Sequence, residues 1–343
     1  MTCASDRPRR QSRRRVLLRL AWPGVLWASG LPLLPLLPLH AHAQRSYPTR
    51  AVTLLVPFAP GGIADLCART VVEHMGRTLG QPVVVENKPS AGSIVASQAA
   101  ARARPDGYTL LLVSNANAVS VGLFKRLPYD PLEDFAPVGL IGSFELGLFA
   151  PASGRFTTLA DALAYARANP GRLNIGTIAP GSTQHLSAKL FETMAGIEAL
   201  IVPYKGSPAV LTALRAGEVD LAFEVLGPML PQVQAGVVRA LAVTSSRRNP
   251  ALPGVPTVQQ AGVPAYEVES WNGIAAPVAT PAPVLATLAR ALQAALADAG
   301  VQQKLGQLGV RPLPGEPAEL RELLAREIQR WGAVIRAAKI EPE

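Results

Sequence analysis

The sequence predicts an α/β fold built as two lobes around a central ligand cleft, with two hinge crossings. Apolar runs alternate with helical patterns along the chain, which is typical of βα units with largely parallel sheets. Two of these units, Val52–Asp65 and Leu173–His185, carry a Gly- or Ser-rich elbow between the apolar run and the helix. A helix N-terminus has unpaired N–H groups and partial positive charge. The two elbows therefore indicate two lobes that close on one small anion.

The elements follow from hydrophobic periodicity and helix-capping signals. The apolar stripe Leu320, Leu324, Ile328, Trp331 and Ile335 predicts a final helix docked on a lobe, and Thr280 is expected to cap a helix that starts at Pro281. Crossings between the lobes are expected near residues 142–149 and 267–276. Strands are expected at residues 52–57, 83–86, 109–113, 138–141, 146–150, 173–178, 200–203, 219–223 and 238–244, and helices near 62–79, 91–103, 158–168, 183–195, 207–216 and 228–235.

The N-terminus has the pattern of an export signal. Six arginines precede the apolar run Val16–Leu39, and a seventh, Arg19, lies near its start. Ala41-His42-Ala43 fits a small-x-small cleavage site, so residues 1–43 are expected to be removed. Ser12–Leu17 fits a twin-arginine signal, and an Arg-rich Sec signal fits equally well. An uncleaved membrane anchor is the competing interpretation. Pro32, Pro35 and Pro38 divide the apolar run into short pieces and disfavour it.

Charge and cysteine content exclude several classes of protein. The chain has a net charge of +9, of which +6 lies in residues 1–43, so the net charge of the expected mature part is only about +3. This is not the strongly basic charge typical of a nucleic-acid-binding protein. Cys67 is the only cysteine outside the signal and is expected to be buried in a helix. Only His74 and His185 remain there as histidines, without ligand spacing, so neither a metal nor a cofactor is expected.

Many short motifs resemble the substrate-binding proteins of tripartite tricarboxylate transporters, the Bug family of extracytoplasmic solute receptors. They occur in order over nearly the whole expected mature chain: residues 47–50 (Tyr-Pro-Thr-Arg), 56–62 (Val-Pro-Phe-Ala-Pro-Gly-Gly), 80–87 (Gly-Gln-Pro-Val-Val-Val-Glu-Asn), 105–110 (Pro-Asp-Gly-Tyr-Thr-Leu), 127–131 (Leu-Pro-Tyr-Asp-Pro), 134–138 (Asp-Phe-Ala-Pro-Val), 181–186 (Gly-Ser-Thr-Gln-His-Leu), 202–207 (Val-Pro-Tyr-Lys-Gly-Ser), 241–244 (Leu-Ala-Val-Thr) and 252–257 (Leu-Pro-Gly-Val-Pro-Thr).

The resemblance implies a periplasmic binding protein of a type II-like, two-lobed fold. Lobe 1 is expected to hold residues 44–145 and 268–343, and lobe 2 residues 146–267. The family captures small, usually carboxylated, solutes and passes them to membrane permease subunits. A monomer in the periplasm is therefore expected, with a small organic anion as its ligand and no nucleic-acid partner.

The chain departs from the family pattern at places that bear on ligand choice. Ala64 stands where the family often has a hydroxyl residue, and the loop after Asn87 reads Lys-Pro-Ser-Ala-Gly-Ser instead of being Gly-rich. Glu224-Val225 stands where the family often has Asp-Asn. The longer carboxylate is expected to intrude further into the cleft and to favour a ligand with an amide, amine or hydroxyl donor at that end.

The candidate ligand-binding residues lie in the two elbows and at strand ends. Several have an ordinary structural alternative. The glycines can make a tight turn, and Ser182 and Thr183 can cap a helix. Asp65 can stabilise its helix by interacting with the positive end of the helix dipole and by pairing with Arg69. His185 can be a packed residue, and Lys205 a solvated charge. The candidates are Ala59, Pro60, Gly61, Gly62, Ile63, Asp65, Ser114, Asn115, Gly181, Ser182, Thr183, His185, Lys205, Gly206, Ser207 and Glu224.

Two other functions remain open at this point. A hydrolase is a remote alternative, since there is no Gly-x-Ser-x-Gly elbow, no dinucleotide or phosphate-binding loop, and no carboxylate that completes a triad with Ser182 and His185. A ligand-dependent partner of a membrane sensor is the second alternative, because capture of a solute serves signalling as well as transport.

Overall fold

The computed structural model describes residues 47–337 and 340–342; the predicted signal 1–43 lies outside them. The strands are β1 (Val52–Val56), β2 (Val83–Asn87), β3 (Thr109–Ser114), β4 (Phe135–Pro151), β5 (Leu173–Ile178), β6 (Ala199–Tyr204), β7 (Leu221–Val225), β8 (Val238–Val243), β9 (Glu269–Pro277) and β10 (Val310–Pro312). The helices are α1 (Ile63–Leu79), α2 (Ile94–Ala101), α3 (Asn115–Leu123), α4 (Leu159–Ala168), α5 (Thr183–Ala195), α6 (Ser207–Ala216), α7 (Leu226–Gln234), α8 (Ala282–Ala297), α9 (Ala299–Gln307) and α10 (Pro317–Ala337).

The strands pair into one mixed sheet with the order β2-β1-β3-β9-β4-β7-β5-β6, to which β8 and β10 add by pairing with β4. Strand β4 changes partners along its length: residues up to Glu145 pair with β9, and residues from Leu146 onward pair with β7 and β8. We call β2, β1, β3, β9, β10 and residues 135–145 of β4 the first sheet half. The second sheet half is β7, β5, β6, β8 and residues 146–151 of β4.

The α/β prediction is confirmed, but the sheet is parallel only in part. β1 runs parallel to β2 and β3, and β5 runs parallel to β6 and β7. In the centre, β4 pairs antiparallel with β7, β8, β9 and β10. The expectation of largely parallel sheets is therefore wrong at the junction of the two halves.

Two expected strands and the crossing between them form the single strand β4. Gly142 reads as a break in the sequence, yet it lies inside β4 opposite Asn272, beside a shift in register. A Cβ there would lie 2.5 Å from the backbone oxygen of Arg311, so glycine is needed for the close approach of β10. The second expected crossing is β9 for most of its length.

Helix ends also differ from expectation in places. Helix α3 was not predicted at all, and α2 is preceded by a short 3-10 turn, Ala91–Ser93. Thr280 donates to the carbonyl oxygen of Pro277 and does not cap α8, whose N-cap is Pro281. The docking of α10 is confirmed: Leu320, Leu324, Trp331 and Ile335 are buried against α3 and β4.

Cys67 lies in α1 and is fully buried, as expected. Within residues 47–337 and 340–342, no single helix combines the length and hydropathy needed to cross a membrane; only α8 and α9 taken together, bent by 72°, meet both criteria.

Two glutamates face each other where the chain passes between the sheet halves. Glu145 in β4 and Glu269 in β9 are direct partners in the antiparallel pair. The pKa of Glu269 is raised, mainly by burial and further by the nearby charges of Glu145 and Glu267. Arg311 and Arg330 lower it, but by less. Like charges directly opposite in a sheet are destabilising.

We expect Glu269→Gln to stabilise the protein at about pH 8, by a few tenths to about 1 kcal/mol. A raised folded pKa means that Glu269 stabilises the fold below its ordinary pKa, and that this contribution is lost as pH rises through the folded value. The neutral glutamine side chain should avoid this loss of stability at high pH, and stability at about pH 4 should change little. Thermal unfolding across this pH range measures the effect. Glu267→Gln, at an exposed neighbouring position, is the control; equal effects of both variants would contradict the prediction.

Candidate functional site

A cavity lies between the two sheet halves. It contains about 600 Å³ of space between the atoms, part of which is open to solvent. Its walls come from both halves: Pro57, Phe58, Ala59, Gly62, Ile63, Ala64, Pro89, Ser90, Ser114, Phe144, Ser270 and Asn272 from the first, and Ile178, Ala179, Thr183, Gln184, Lys205, Gly206 and Ser207 from the second.

The first elbow brings the N-terminus of α1 to this cavity. Gly62 is the N-cap residue of α1 and supplies no side-chain acceptor, so the first amides of the helix have no side-chain cap. Gly62, Ile63 and Ala64 line the cavity. Uncapped amides at a helix N-terminus are suited to an anionic or strongly accepting group.

Asp65 holds the turn of the first elbow together. Its carboxylate accepts from the backbone N–H of Gly61 at 3.0 Å, from Arg69 Nε at 3.0 Å and from Asn87 Nδ2 at 2.9 Å. Burial works against the charge, but the bonds from Arg69, Gly61 and Asn87 prevail and lower the pKa of Asp65. The alternative pairing of Asp65 with Arg69 is confirmed. The N–H of Gly61 is therefore already paired, and Gly61, at φ +80°, serves the turn.

The second elbow brings the N-terminus of α5 to the same cavity. Ser182 is the N-cap, and its Oγ accepts from the backbone N–H of His185 at 3.2 Å, so the capping role is confirmed. Thr183 Oγ1 lies 2.7 Å from Ser270 Oγ of β9. Thr183 and Gln184 line the cavity. Burial, followed by the nearby Lys189, lowers the pKa of His185 to about 4, so its imidazole is neutral at pH 7.

Two further helix N-termini reach the cavity. Ser114 caps α3 in a reciprocal arrangement with Asn117, whose Oδ1 accepts from the Ser114 N–H at 3.0 Å. Helix α6 begins at Ser207 after Gly206, which supplies no side-chain cap. Ser114, Gly206 and Ser207 line the cavity. Four helices, α1, α3, α5 and α6, thus start at one site, and each contributes partial positive charge.

Charged side chains are few at this site. Among the described residues that line the cavity, Lys205 is the only charged one. Glu224 lies behind the wall, buried at 2% exposure, and its Oε2 accepts from Ser207 Oγ at 2.9 Å and from Gln184 Nε2 at 3.4 Å. Burial raises the pKa of Glu224 to about 7, against the bonds from Ser207, Val225 and Gln184.

The structure brings half of the candidate residues to the cavity wall: Ala59, Gly62, Ile63, Ser114, Thr183, Lys205, Gly206 and Ser207. The other half surround the wall without lining it: Pro60, Gly61, Asp65, Asn115, Gly181, Ser182, His185 and Glu224. Contact of any of them with a ligand stays a prediction.

Sequence reasoning missed two polar residues of the wall on β9. Ser270 and Asn272 are buried, at 3% and 1% exposure, and both line the cavity. They lie two residues apart, so both side chains point to one face of the strand. The signal in the sequence is two polar residues at alternate positions, shortly before the apolar stretch Ile274–Ala276, in a segment expected only to be a crossing.

The two sheet halves touch each other around the cavity. The N–H of Gly92 donates to the carbonyl oxygen of Pro180 at 3.2 Å. A Cβ on Gly181 would lie 2.9 Å from the Cα of Gly92, and one on Gly206 would lie 3.3 Å from the Cβ of Ala59. These contacts, together with the Thr183–Ser270 pair, describe a closed arrangement in which small residues let the backbones meet. In the same described part of the chain, no cluster of three or more His, Cys, Asp and Glu side chains could hold a metal ion.

Comparison with known proteins agrees with this geometry. The profile of the tripartite tricarboxylate transporter family receptor (TctC) matches residues 67–340. BugT of Bordetella pertussis (strain Tohama I) is 35% identical over 293 residues, which cover 85% of this chain and 90% of BugT.

Solved structures show the same fold. The periplasmic binding protein BugD has a TM-score of 0.82 at 34% identity, covering 87% of this chain and 100% of BugD. Rpa4515 of R. palustris, solved with adipate, has a TM-score of 0.82 at 37% identity, covering 87% and 100% of the two chains. MatC of Rhodopseudomonas palustris, solved with bound malate, has a TM-score of 0.80 at 35% identity, covering 84% and 100%.

The fold and its interlobe cavity are those of a two-lobed periplasmic solute-binding protein. The chain belongs to the tripartite tricarboxylate transporter receptor family, with the Bug proteins among its relatives. This is a family of solute-binding receptors and not of enzymes, so the hydrolase alternative is wrong.

Proposed function

We propose that this protein captures a small organic anion, a mono- or dicarboxylate, and delivers it to the permease subunits of a tripartite tricarboxylate-type transporter. The observation that carries the proposal is the convergence of four helix N-termini on one cavity, two of them without side-chain caps. On the described wall of this cavity, Lys205 is the only charged residue. Such a site stabilises a carboxylate through backbone N–H groups. The adipate of Rpa4515 and the malate of MatC belong to the same class of ligand.

We further propose that ligand binding couples the two lobes. Lobe 1 would consist of residues 44–145 and 268–343, and lobe 2 of residues 146–267. The change of partners along β4 between Glu145 and Leu146 supports this division. The contacts of Gly181 with Gly92 and of Thr183 with Ser270 cross the division, so they form only when the lobes close. Hinge closure around a ligand is the usual motion of periplasmic binding proteins.

A thermal-shift screen of carboxylates against neutral analogues tests the ligand class. We expect adipate, malate or a related mono- or dicarboxylate to raise the melting temperature at one site per chain. A ligand at about 100 times its dissociation constant adds about 2.7 kcal/mol of stability. Neutral amides of the same acids are the matched controls. A response to neutral sugars alone, with none to any carboxylate, would contradict the proposal.

Closure can be tested at Gly181, with Gly171 as a matched control. Both glycines have positive φ, +79° and +71°, but only the Cβ of Gly181→Ala meets another backbone; Gly171 has nothing within 4 Å. We expect both variants to lose stability through the left-handed backbone, by about 1–2 kcal/mol. Only Gly181→Ala should also lose affinity for the best ligand of the screen, by about tenfold, because it opposes closure. Calorimetry measures the affinity, and equal affinities for the two variants would argue against the closed contact.

We propose export to the periplasm by a Sec or twin-arginine signal that is cleaved after Ala43. BugD is a periplasmic binding protein, and the Arg-rich start followed by an apolar run and Ala41-His42-Ala43 supports cleavage there. N-terminal sequencing of the mature protein should begin at Gln44. A full-length chain recovered from the membrane fraction would refute this prediction.

A further inference from the structure

The carboxylate of Glu224 controls two side chains of the cavity wall without lining the cavity itself. Glu224 lies in β7, where its Oε2 accepts from Ser207 Oγ at 2.9 Å, from its neighbour's backbone N–H, that of Val225, at 3.2 Å and from Gln184 Nε2 at 3.4 Å. Its second oxygen, Oε1, is buried and has no hydrogen-bond partner among the described residues. Burying a carboxylate with one oxygen unpaired costs free energy, and this cost favours the protonated form of Glu224.

The direction of these hydrogen bonds determines what the wall can offer a ligand. A serine hydroxyl has one proton, and Ser207 gives it to Glu224. Ser207 Oγ therefore meets the cavity only as an acceptor. One N–H of Gln184 is directed to Glu224 as well. While Glu224 is ionised, this end of the cavity favours a donor and opposes a second carboxylate.

A proton on Glu224 reverses the arrangement. Oε1 has no hydrogen-bond partner among the described residues, so a proton there would have no acceptor, whereas a proton on Oε2 can be donated to Ser207 Oγ. Ser207 keeps its own hydroxyl proton, which can then turn toward the cavity. The wall becomes able to donate to a carboxylate at the same point. The proton comes from solvent, and no covalent bond other than O–H is made or broken.

We infer that Glu224 is a positioning residue whose protonation state selects the ligand end group at Ser207: a hydroxyl, amine or amide when Glu224 is ionised, and a carboxylate when it is protonated. This inference rests on the proposed capture of carboxylates. It makes the protein a receptor whose choice between dicarboxylates and hydroxy or amino monocarboxylates depends on the pH of its compartment.

The surroundings of Glu224 place its titration in the useful range. Burial raises its pKa to about 7, and Glu224 forms no salt bridge within the described residues. On α5 the titratable neighbour of Gln184 is His185, which is neutral above about pH 4. The charged residue just before α6 is Lys205. Strand β4 pairs with β7, and its residue opposite Glu224 is Gly147; the nearest charged residue on β4 is Glu145, two positions before Gly147. Burial is the largest cause of the shift, and none of these charges is among its causes.

Matched pairs of ligands test the inference. The probes are adipate and succinate, each compared with the monocarboxylate of equal chain length in which one terminal carboxylate is replaced by a hydroxymethyl group. Calorimetry at about pH 6 and about pH 8 gives the affinity ratio of each pair. For the wild type we expect the preference for the dicarboxylate to fall by about tenfold between the two pH values. Dicarboxylate binding at about pH 8 should also take up protons, measured by repeating the titration in buffers of different ionisation enthalpy.

Two variants separate this role from a structural one. Glu224→Gln is a permanently neutral donor, so its affinity ratio should favour the dicarboxylate at both pH values, with no proton uptake. Glu224→Asp keeps the titratable group and should retain a pH-dependent ratio. If Glu224→Gln fails to fold, the wild-type proton uptake and the Glu224→Asp profile still decide the question.

The outcomes distinguish this inference from the proposed function. If the probes bind but their affinity ratios are the same at both pH values and in Glu224→Gln, the inference is overturned and carboxylate capture stands. If neither these probes nor any carboxylate of the wider screen binds, both are overturned. A ratio that changes with pH in the wild type and is constant in Glu224→Gln supports both.

Discussion

The antiparallel pairing of β4 with β9 is the contact on which the architecture depends. β4 is the only strand in the described part of the chain that pairs within both sheet halves, and β9 holds its first eleven residues in place. On either side of this pair lie parallel βα units, in β1–β3 and in β5–β7. Parallel strands present their carboxyl ends at one edge, so the helices that follow begin there. The central pair thereby turns both sets of helix N-termini toward one cavity.

This geometry explains how the proposed site could hold an anion with few charged side chains. Each helix N-terminus contributes about half an elementary charge, and its field decays within a turn, so several must converge to matter. Here α1, α3, α5 and α6 converge, while Lys205 is the one cation on the described wall. Asp65, at the end of the first elbow, is paired with Arg69 and accepts from the N–H of Gly61, so it opposes an incoming anion less than its charge suggests.

The sequence was sufficient for those features that depend on local chemistry. The two elbows, the cap at Ser182 and the buried stripe of α10 could be predicted because each rests on residues a few positions apart. Features that depend on distant partners could not. Gly142 marks a close approach by β10, not the end of a strand, and only the position of Arg311 shows this. Likewise, Ser270 and Asn272 reach the cavity because β9 lies between β3 and β4, a pairing between strands that are far apart in the sequence.

Glu224 illustrates how a wall can change its chemistry without changing its lining. The sequence predicted that a longer carboxylate would intrude into the cleft, but Glu224 lies behind the wall and acts on Ser207 and Gln184. A residue in that position can vary without altering the shape of the cavity, because the lining atoms stay in place while their donor and acceptor roles change. If backbone N–H groups hold a carboxylate at one end of the cavity, as proposed, the far end is free to diverge through its supporting residues. Under that proposal the particular ligand depends on side chains such as Glu224, which direct the protons of the wall.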